Sequence, residues 1–423
     1  MKKVETKPVR LELYTGIAPE IQLAEACEIA EKLKGLHVVH INATPVGGGV
    51  AEILKSLVPL MRGMGLDAEW YAIEPDETFF RVTKALHHCL QGEPEYPDDN
   101  DIEYYLAYNQ KAAQALQDTG VGSDLWIVHD VQVLPLIRYM GTASPAIWVC
   151  HVDTTEPNNW IRQALLPYMH EYRRILFSMP EYHLEGIDPA KVSVFPPAID
   201  PLSIKNMPYP REEARKKLAN LGIDSARPLV SQVSRFDRWK DPWGVIDAYR
   251  LARERIPGLQ LALVGAMTAN DDSDAMEIFR SVQQHAANDP DIHLFSDPIV
   301  ISSIEVNAFQ SGSDVIVQKS TREGFGLTVA EAMWKGTPVI GGDCGGIRLQ
   351  IDDGKTGFLV SDVPSCAERI VTLLEDRELA KRIGEAGRES VRNSYLMPRL
   401  LRDYLRLIRN VVDSKEPSLA VAA

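Results

Sequence analysis

An α/β protein of two doubly wound, Rossmann-like domains is predicted by three observations. The chain has 423 residues, more than one hydrophobic core normally supports, so two domains of about 200 residues each are expected. Short β-rich runs alternate with helical stretches in both halves, which is the pattern of parallel sheets covered by helices. A proline-rich segment at residues 193–217 interrupts that alternation once, leaves little room for a central strand or helix, and reads as the linker.

In the first half the runs LHVVHINAT (36–44), DAEWYAI (67–73), DLWIVHD (124–130), PAIWVCH (145–151) and RILFSM (174–179) read as buried strands. Between them GGVAEILKSLVPLMRGMG and DIEYYLAYNQKAAQALQDTG have helical spacing. After the linker the alternation restarts with PLVSQVSR, LQLALVGAM, DIHLFSD, SDVIVQKS and TPVIGGD, each leading into a helical stretch. Residues 366–412 are helical and amphipathic, with Ile370, Leu373 and Leu374, then Leu400, Leu401, Tyr404, Leu405 and Ile408 as apolar positions. The expected organisation is residues 1–200 as one domain, 201–395 as a second, and 396–423 as a last helix ending in the frayed SKEPSLAVAA.

Bulk composition excludes several classes. Hydrophobic residues at 45% and charged residues at 25% fit a globular chain. No run approaches the ~18 apolar residues of a membrane span, and the start, MKKVETKPVRLELYTG, has no apolar segment of the secretory kind, so a cytoplasmic location is expected. A formal net charge of -14 disfavours nucleic acid or an anionic membrane as the main partner. Cys27, Cys89, Cys150, Cys344 and Cys366 lack C-x-x-C spacing, so reduced thiols and no structural metal are expected. The acidic NDDSD at 270–274 reads as a solvated helix start rather than a ligand set, and no Asp-x-Asp motif is evident.

Ligands of open α/β sheets sit outside the carboxyl ends of strands, which directs attention to five segments. PVGGGVAE places Gly47, Gly48 and Gly49 at a strand-to-helix junction, where bare backbone N–H groups can approach a phosphate or sugar, or simply turn the chain. It is neither G-x-G-x-x-G nor a P-loop. His129 and Asp130 close one strand, while His151 and Asp153 follow another; a helix starting near Asn158 could use such polar groups as caps. VSRFDRWKDP offers Arg235 and Lys240, two cations able to neutralise a diphosphate or to be solvated. KSTREGFG leads into a helix expected to begin near Leu327. Gly324 and Gly326 disfavour helix and would free N–H groups for an anion; Glu323 lies on the loop, and Glu331 about one turn inside the helix.

Taken together and in this order, these segments resemble the retaining glycosyltransferases of family 4, which have the GT-B fold. Glu323-Gly324-Phe325-Gly326-Leu327-Thr328 through Glu331 matches the E-x7-E signature, accompanied by Arg235, Lys240, His151 and the Gly47–Gly49 loop. HINATPVGGGVAEIL, VHDVQVLPL, WVCHVDTTEPN, VSRFDRWKDPW and QKSTREGFGLTVAEAMWKGTPVIGG are similar, more narrowly, to the glycosyltransferring trehalose synthases, and less closely to trehalose phosphorylases.

The resemblance implies two Rossmann-like domains facing across a cleft, with the C-terminal helix crossing back to the N-terminal, acceptor-binding domain. It implies transfer of glucose from a nucleoside diphosphate glucose to free glucose, giving α,α-trehalose reversibly. Arg235 and Lys240 would hold the diphosphate, Glu323 hydroxyls of the transferred glucose, and Glu331 the ribose. Gly47–Gly49 and the amides of Phe325 to Thr328 would support phosphate and sugar. His151 would lie beside the donor sugar, and Asp130 and Asp153 would contact the acceptor. No cofactor is expected to be essential, with a divalent cation such as Mg at most stimulatory, and a homodimer is expected. The alternatives are a phosphorylase using α-glucose 1-phosphate, a non-catalytic nucleotide-sugar binder, and a non-hydrolysing sugar epimerase.

Overall fold

The computed structural model describes residues 1–94, 97–265 and 273–414. Asn270–Asp272 of the acidic NDDSD stretch and Lys415–Ala423 of the tail fall outside the described residues. The chain divides into two compact units, one formed by Met1–Ala198 with the segment from Leu396 onward, the other by Ile199–Tyr395.

The strands of the first unit are β1 (Lys2–Lys3), β2 (His37–Asn42), β3 (Asp67–Ala72), β4 (Leu125–His129), β5 (Ala146–Val149), β6 (Arg174–Phe177) and β7 (Val192–Val194). They form one seven-stranded sheet in the order β1-β3-β2-β4-β5-β6-β7. Only β1 is antiparallel, at the edge beside β3. The apolar runs of β4 and β5 are buried throughout, as strands covered by helices on both faces must be. Trp148 and Phe177 meet edge to face in this core at 6.3 Å. The last helix, Met397–Asp413, packs on helices Glu20–Glu31 and Gly48–Gly63 of the same unit. Arg399 of that helix is buried and donates to the carbonyls of Pro196 at 2.8 Å and Pro197 at 2.7 Å, a bidentate clasp on a proline pair that has no N–H groups of its own.

The second unit contains β8 (Leu229–Val233), β9 (Gln260–Val264), β10 (Ile292–Phe295), β11 (Val315–Gln318), β12 (Val339–Gly342) and β13 (Phe358–Val360). Its sheet is six-stranded in the order β10-β9-β8-β11-β12-β13, with every pair parallel. Hydrophobic clusters cover both faces. Every strand expected from sequence is present; the two-residue β1 and the short edge strands β7 and β13 were not anticipated.

The linker expectation needs correction. The prolines of residues 193–217 leave little room for a central strand or helix; the strand that begins the segment, β7, is an edge strand paired with β6, but a helix runs over Arg211–Ala219. The prolines explain both. Pro196 and Pro197 come after β7, where no ladder donor is required, and Pro210 is the N-cap of the helix, where a missing N–H costs nothing. No helix among the described residues is long and apolar enough to cross a membrane, and the cysteines are free thiols.

Candidate functional site

Each sheet reverses its winding once. In the first, β3 lies on one side of β2 and the strands from β4 onward on the other; in the second, β9 and β10 lie on one side of β8, and β11 to β13 on the other. Such switch points leave a crevice at the carboxyl ends of the two central strands, because the connecting helices depart to opposite faces. Most residues singled out in the sequence follow these strands, while His151 and Asp153 follow β5, the neighbour of β4.

In the second unit Lys240, after β8, and Glu323, after β11, form an ion pair, with Nζ 2.5 Å from Oε2. Ser320 Oγ donates to the same carboxylate oxygen at 3.3 Å. Thr321 N donates to Trp239 O at 2.8 Å, which ties the two loops together. Behind the pair Lys319 bonds Asp241, whose φ of 47° is left-handed and whose carboxylate caps helix Pro242–Arg253. Arg235 shares the Lys240 loop but is 69% exposed and reaches only Asp237, at 3.7 Å. It is a cation held loosely enough to be re-aimed.

Helix Leu327–Trp334 begins after Gly326, whose φ of 82° belongs to the region that glycine favours and whose lack of a side chain leaves the N-terminus uncapped. A Cβ at Gly326 would stand 3.1 Å from Glu323 Cγ, so the glycine also makes room for the carboxylate. First-turn amides, here those of Leu327 and Thr328, have no intrahelical acceptor and carry the positive end of the helix dipole. Phe325 is buried, and its carbonyl accepts from Gln350 Nε2 at 2.5 Å, which fixes the loop from behind.

Glu331 lies where expected, one turn into that helix, but it is only 1% exposed. Lys205 Nζ is 2.8 Å from one carboxylate oxygen and Gln310 Nε2 donates to the other at 3.0 Å. Burial alone would raise its pKa; Lys205 and Lys335, with the Gln310 hydrogen bond, outweigh that and hold it below the usual carboxylate range. A ribose hydroxyl reaching Glu331 must share it with Lys205.

In the first unit Gly47 and Gly48 have φ of 76° and 71°, and Gly47–Gly49 is exposed at the uncapped start of helix Gly48–Gly63. The other side of the switch point carries histidines. His40 of β2 pairs in register with Ile127 of β4, so His129, two residues on, faces the same way; His129 pairs with Val149, so the next such step is His151. The rings meet accordingly: His40 Nδ1 is 3.0 Å from His129 Nε2, and His129 Nδ1 is 3.2 Å from His151 Nε2. Asp130 has φ of 70°, a costly conformation for a residue other than glycine. Its Oδ2 lies 3.2 Å from His87 Nε2, and its Oδ1 is buried with no hydrogen-bond partner among the described residues. Burial would raise its pKa, but His87, with His151 beyond it, holds it below the ordinary value. Asp153 is buried and closes its own turn, accepting from Thr155 N at 3.1 Å and Thr155 Oγ1 at 2.6 Å. Helix Asn159–Met169 is capped by Asn158 itself, not by His151 or Asp153.

The second unit therefore joins Lys240, Glu323 and the Phe325–Thr328 turn into one anion-directed set, with Arg235 at its margin and Glu331 behind. The first unit joins His151 to Asp130 through neighbouring strand ends and sets Asp153 in a closed turn. Sequence reading passed over His40, His87, Lys205, Ser320 and Gly346, whose N–H donates to Glu323 O at 3.1 Å. A histidine between Val39 and Ile41 in a buried strand was a readable signal; the others depended on tertiary placement. Among the described residues no cluster of His, Cys, Asp and Glu has the arrangement of a metal site.

Two family models match the chain: that of the trehalose synthase N-terminal domain over residues 40–184, and that of the group 1 glycosyl transferases over residues 213–390. The chain is 44% identical over 402 residues to a trehalose synthase of Rubrobacter xylanophilus, covering 94% of this chain and 96% of that protein. It is 28% identical over 414 residues to a trehalose phosphorylase of Pleurotus pulmonarius, covering 86% of this chain and 56% of that protein. In fold it is similar to a UDP-forming α,α-trehalose-phosphate synthase from Burkholderia xenovorans, with a TM-score of 0.71 at 16% identity over 90% of this chain and 100% of the other.

Proposed function

This chain belongs to the trehalose synthase family of GT-B glycosyltransferases, and we propose on that premise that it transfers glucose, with retention, from a nucleoside diphosphate glucose to free glucose, forming α,α-trehalose. The observation that carries the reading is the Lys240–Glu323 ion pair beside an uncapped, glycine-led helix N-terminus at the switch point of the second sheet. A cation, free amides and a carboxylate side by side suit a ligand with a diphosphate at one end and hydroxyls at the other.

In this reading the bond between the anomeric carbon and the diphosphate oxygen breaks, and the acceptor hydroxyl oxygen bonds to the same carbon. The acceptor proton passes to the departing diphosphate. Lys240 and Arg235 stabilise the charge that grows on the diphosphate, the amides of Leu327 and Thr328 share it, and Glu323 holds glucose hydroxyls. By the family resemblance, His151 is assigned to the donor sugar and Asp130 to the acceptor hydroxyls. Retention by a same-face route fits Glu323, because a carboxylate bound to Lys240 and Ser320 is a weakened nucleophile for a double displacement.

Product analysis with ADP-, UDP- and GDP-glucose against glucose tests the reaction and finds the base preference. Trehalose and the matching nucleoside diphosphate are expected. Glucose 1-phosphate formed from trehalose with phosphate, and no sugar nucleotide formed with any nucleoside diphosphate, would move the chain to the phosphorylases.

A further inference from the structure

The buried chain of imidazoles from His40 through His129 to His151 is more than core filling. Its rings lie nearly parallel, at 20° and 16°, with centroids 5.3 and 5.5 Å apart, and each junction is a nitrogen-to-nitrogen hydrogen bond. We propose that His40 and His129 are positioning residues that fix the tautomer of His151, so that its Nδ1 carries a proton and donates to an oxygen of the bound sugar.

The argument is a count of hydrogens. Three neutral rings carry three N–H groups, and the two junctions consume two of them. The third must stand at one end of the chain, on His40 Nε2 or on His151 Nδ1. His40 Nε2 is buried and has no hydrogen-bond partner among the described residues. An N–H left there would be an orphaned buried donor, the rarer defect in folded proteins, so the bare ring nitrogen is placed at this end. Donation therefore runs from His40 Nδ1–H to His129 and from His129 Nδ1–H to His151. The spare N–H is left on His151, whose Nδ1 has no protein partner among the described residues. His151 is half-buried and borders a water-sized cavity of about 10 Å³ lined also by Cys150, Ser178 and Tyr404.

The surroundings keep the rings neutral. Burial pulls His40 down to about 3 and His129 well below its ordinary value, and lowers His151 in spite of Asp130 nearby. Among the described residues, the ionisable groups that face the chain are Asp130 with its partner His87 beside His151, Cys150 next to it in sequence, and the Tyr404 ring 6.3 Å from His40.

The purpose assigned to this donor rests on the transfer reaction proposed above, but the tautomer is a property of the ligand-free protein and is read separately. Long-range proton–nitrogen NMR of histidine-labelled protein at pH 7 should show His151 and His129 protonated at Nδ1. A His151 protonated at Nε2, or charged, overturns the proposal. Two nearly isosteric variants test the function. His40→Asn places an amide donor where Nδ1 stood and should keep the His151 tautomer. His40→Asp places an acceptor there, demands a proton from His129 Nε2, and should reverse the chain. The kcat of His40→Asp should then fall about tenfold below that of His40→Asn, roughly the worth of one hydrogen bond, with donor KM nearly equal. Equal kcat values despite reversed tautomers would overturn the functional half. If His40→Asp does not fold, the wild-type spectrum still decides the tautomer. Absence of any transfer activity with the expected tautomer would strike the proposed reaction and leave the chain standing.

Discussion

The Ile199–Tyr395 unit meets its switch point with charge, and the Met1–Ala198 unit meets its own mainly with neutral rings. Lys240 and Glu323 are paired and part-exposed beside an open helix N-terminus, whereas His40, His129 and His151 are pulled toward neutrality by burial. Winding topology brought the candidate side chains to corresponding places in both sheets, but desolvation decided their charge there. Charges kept near solvent suit a phosphate, and neutral donors fixed in a dry wall suit hydroxyls without calling in a counter-ion.

The charged side breaks most easily. Arg235→Ala and Lys240→Ala should each lower kcat on the order of 100-fold or more, the cost of losing one transition-state donor; near-normal turnover in steady-state assays would remove these residues from the diphosphate. Gly346→Ala should come next. A Cβ there would stand 2.4 Å from Phe325 Cα and 2.7 Å from Gly324 O, backbone atoms with no rotamer to yield. The loop carrying Glu323 must shift, costing about 1–3 kcal/mol of stability, and a misplacement near 1 Å can cost up to about 100-fold in rate. A variant with unchanged melting temperature and unchanged kcat would mean the loop does not position the carboxylate.

The neutral side sharpens the comparison through acid. Unfolded histidine takes up a proton near pH 6.5, but folded His40 resists until about 3. Between those values the unfolded chain binds the extra proton. Stability is therefore intact above 6.5 and falls as pH drops, by about 1.4 kcal/mol per pH unit for His40 alone. Hydrogen exchange at pH 7 and pH 5 should show protection lost first around β2 and β4, and His40→Phe should flatten that slope. Equal loss in the two units would mean the rings are not the acid-sensitive element.

Strands were legible because parallel strands buried on both faces read as unbroken apolar runs, as in LWIVH and AIWV. Lys240, Glu323 and the glycines around Phe325 were legible because each follows such a run in a turn that packing alone does not require. The histidine chain was not, since its links depend on the register of β2 against β4 and of β4 against β5. Gly346 was hidden for a similar reason: its N–H meets Glu323 O at 3.1 Å across a long sequence separation. Lys205 was lost in a segment where prolines drew attention to chain stiffness and away from the side chains between them.

Lys205 offers the finest test of the charged unit. Its ammonium lies 2.8 Å from Glu331, and the pair is mostly buried, with side-chain exposures of 18% and 1%. If Glu331 receives ribose hydroxyls, the nucleotide must compete with Lys205 for the carboxylate, and part of the binding energy goes into that displacement. Replacing the ammonium with an apolar chain of similar length removes the competitor but leaves a buried carboxylate supported only by Gln310 and the nearby Lys335. Lys205→Met should therefore be less stable by roughly 3 kcal/mol, while donor KM falls about threefold and kcat hardly moves, an effect of well under 1 kcal/mol on binding. Glu331→Ala should shift donor KM in the opposite direction. A rise in donor KM on Lys205→Met would instead make the lysine itself a contact of the nucleotide, and Glu331 the residue that holds it in place.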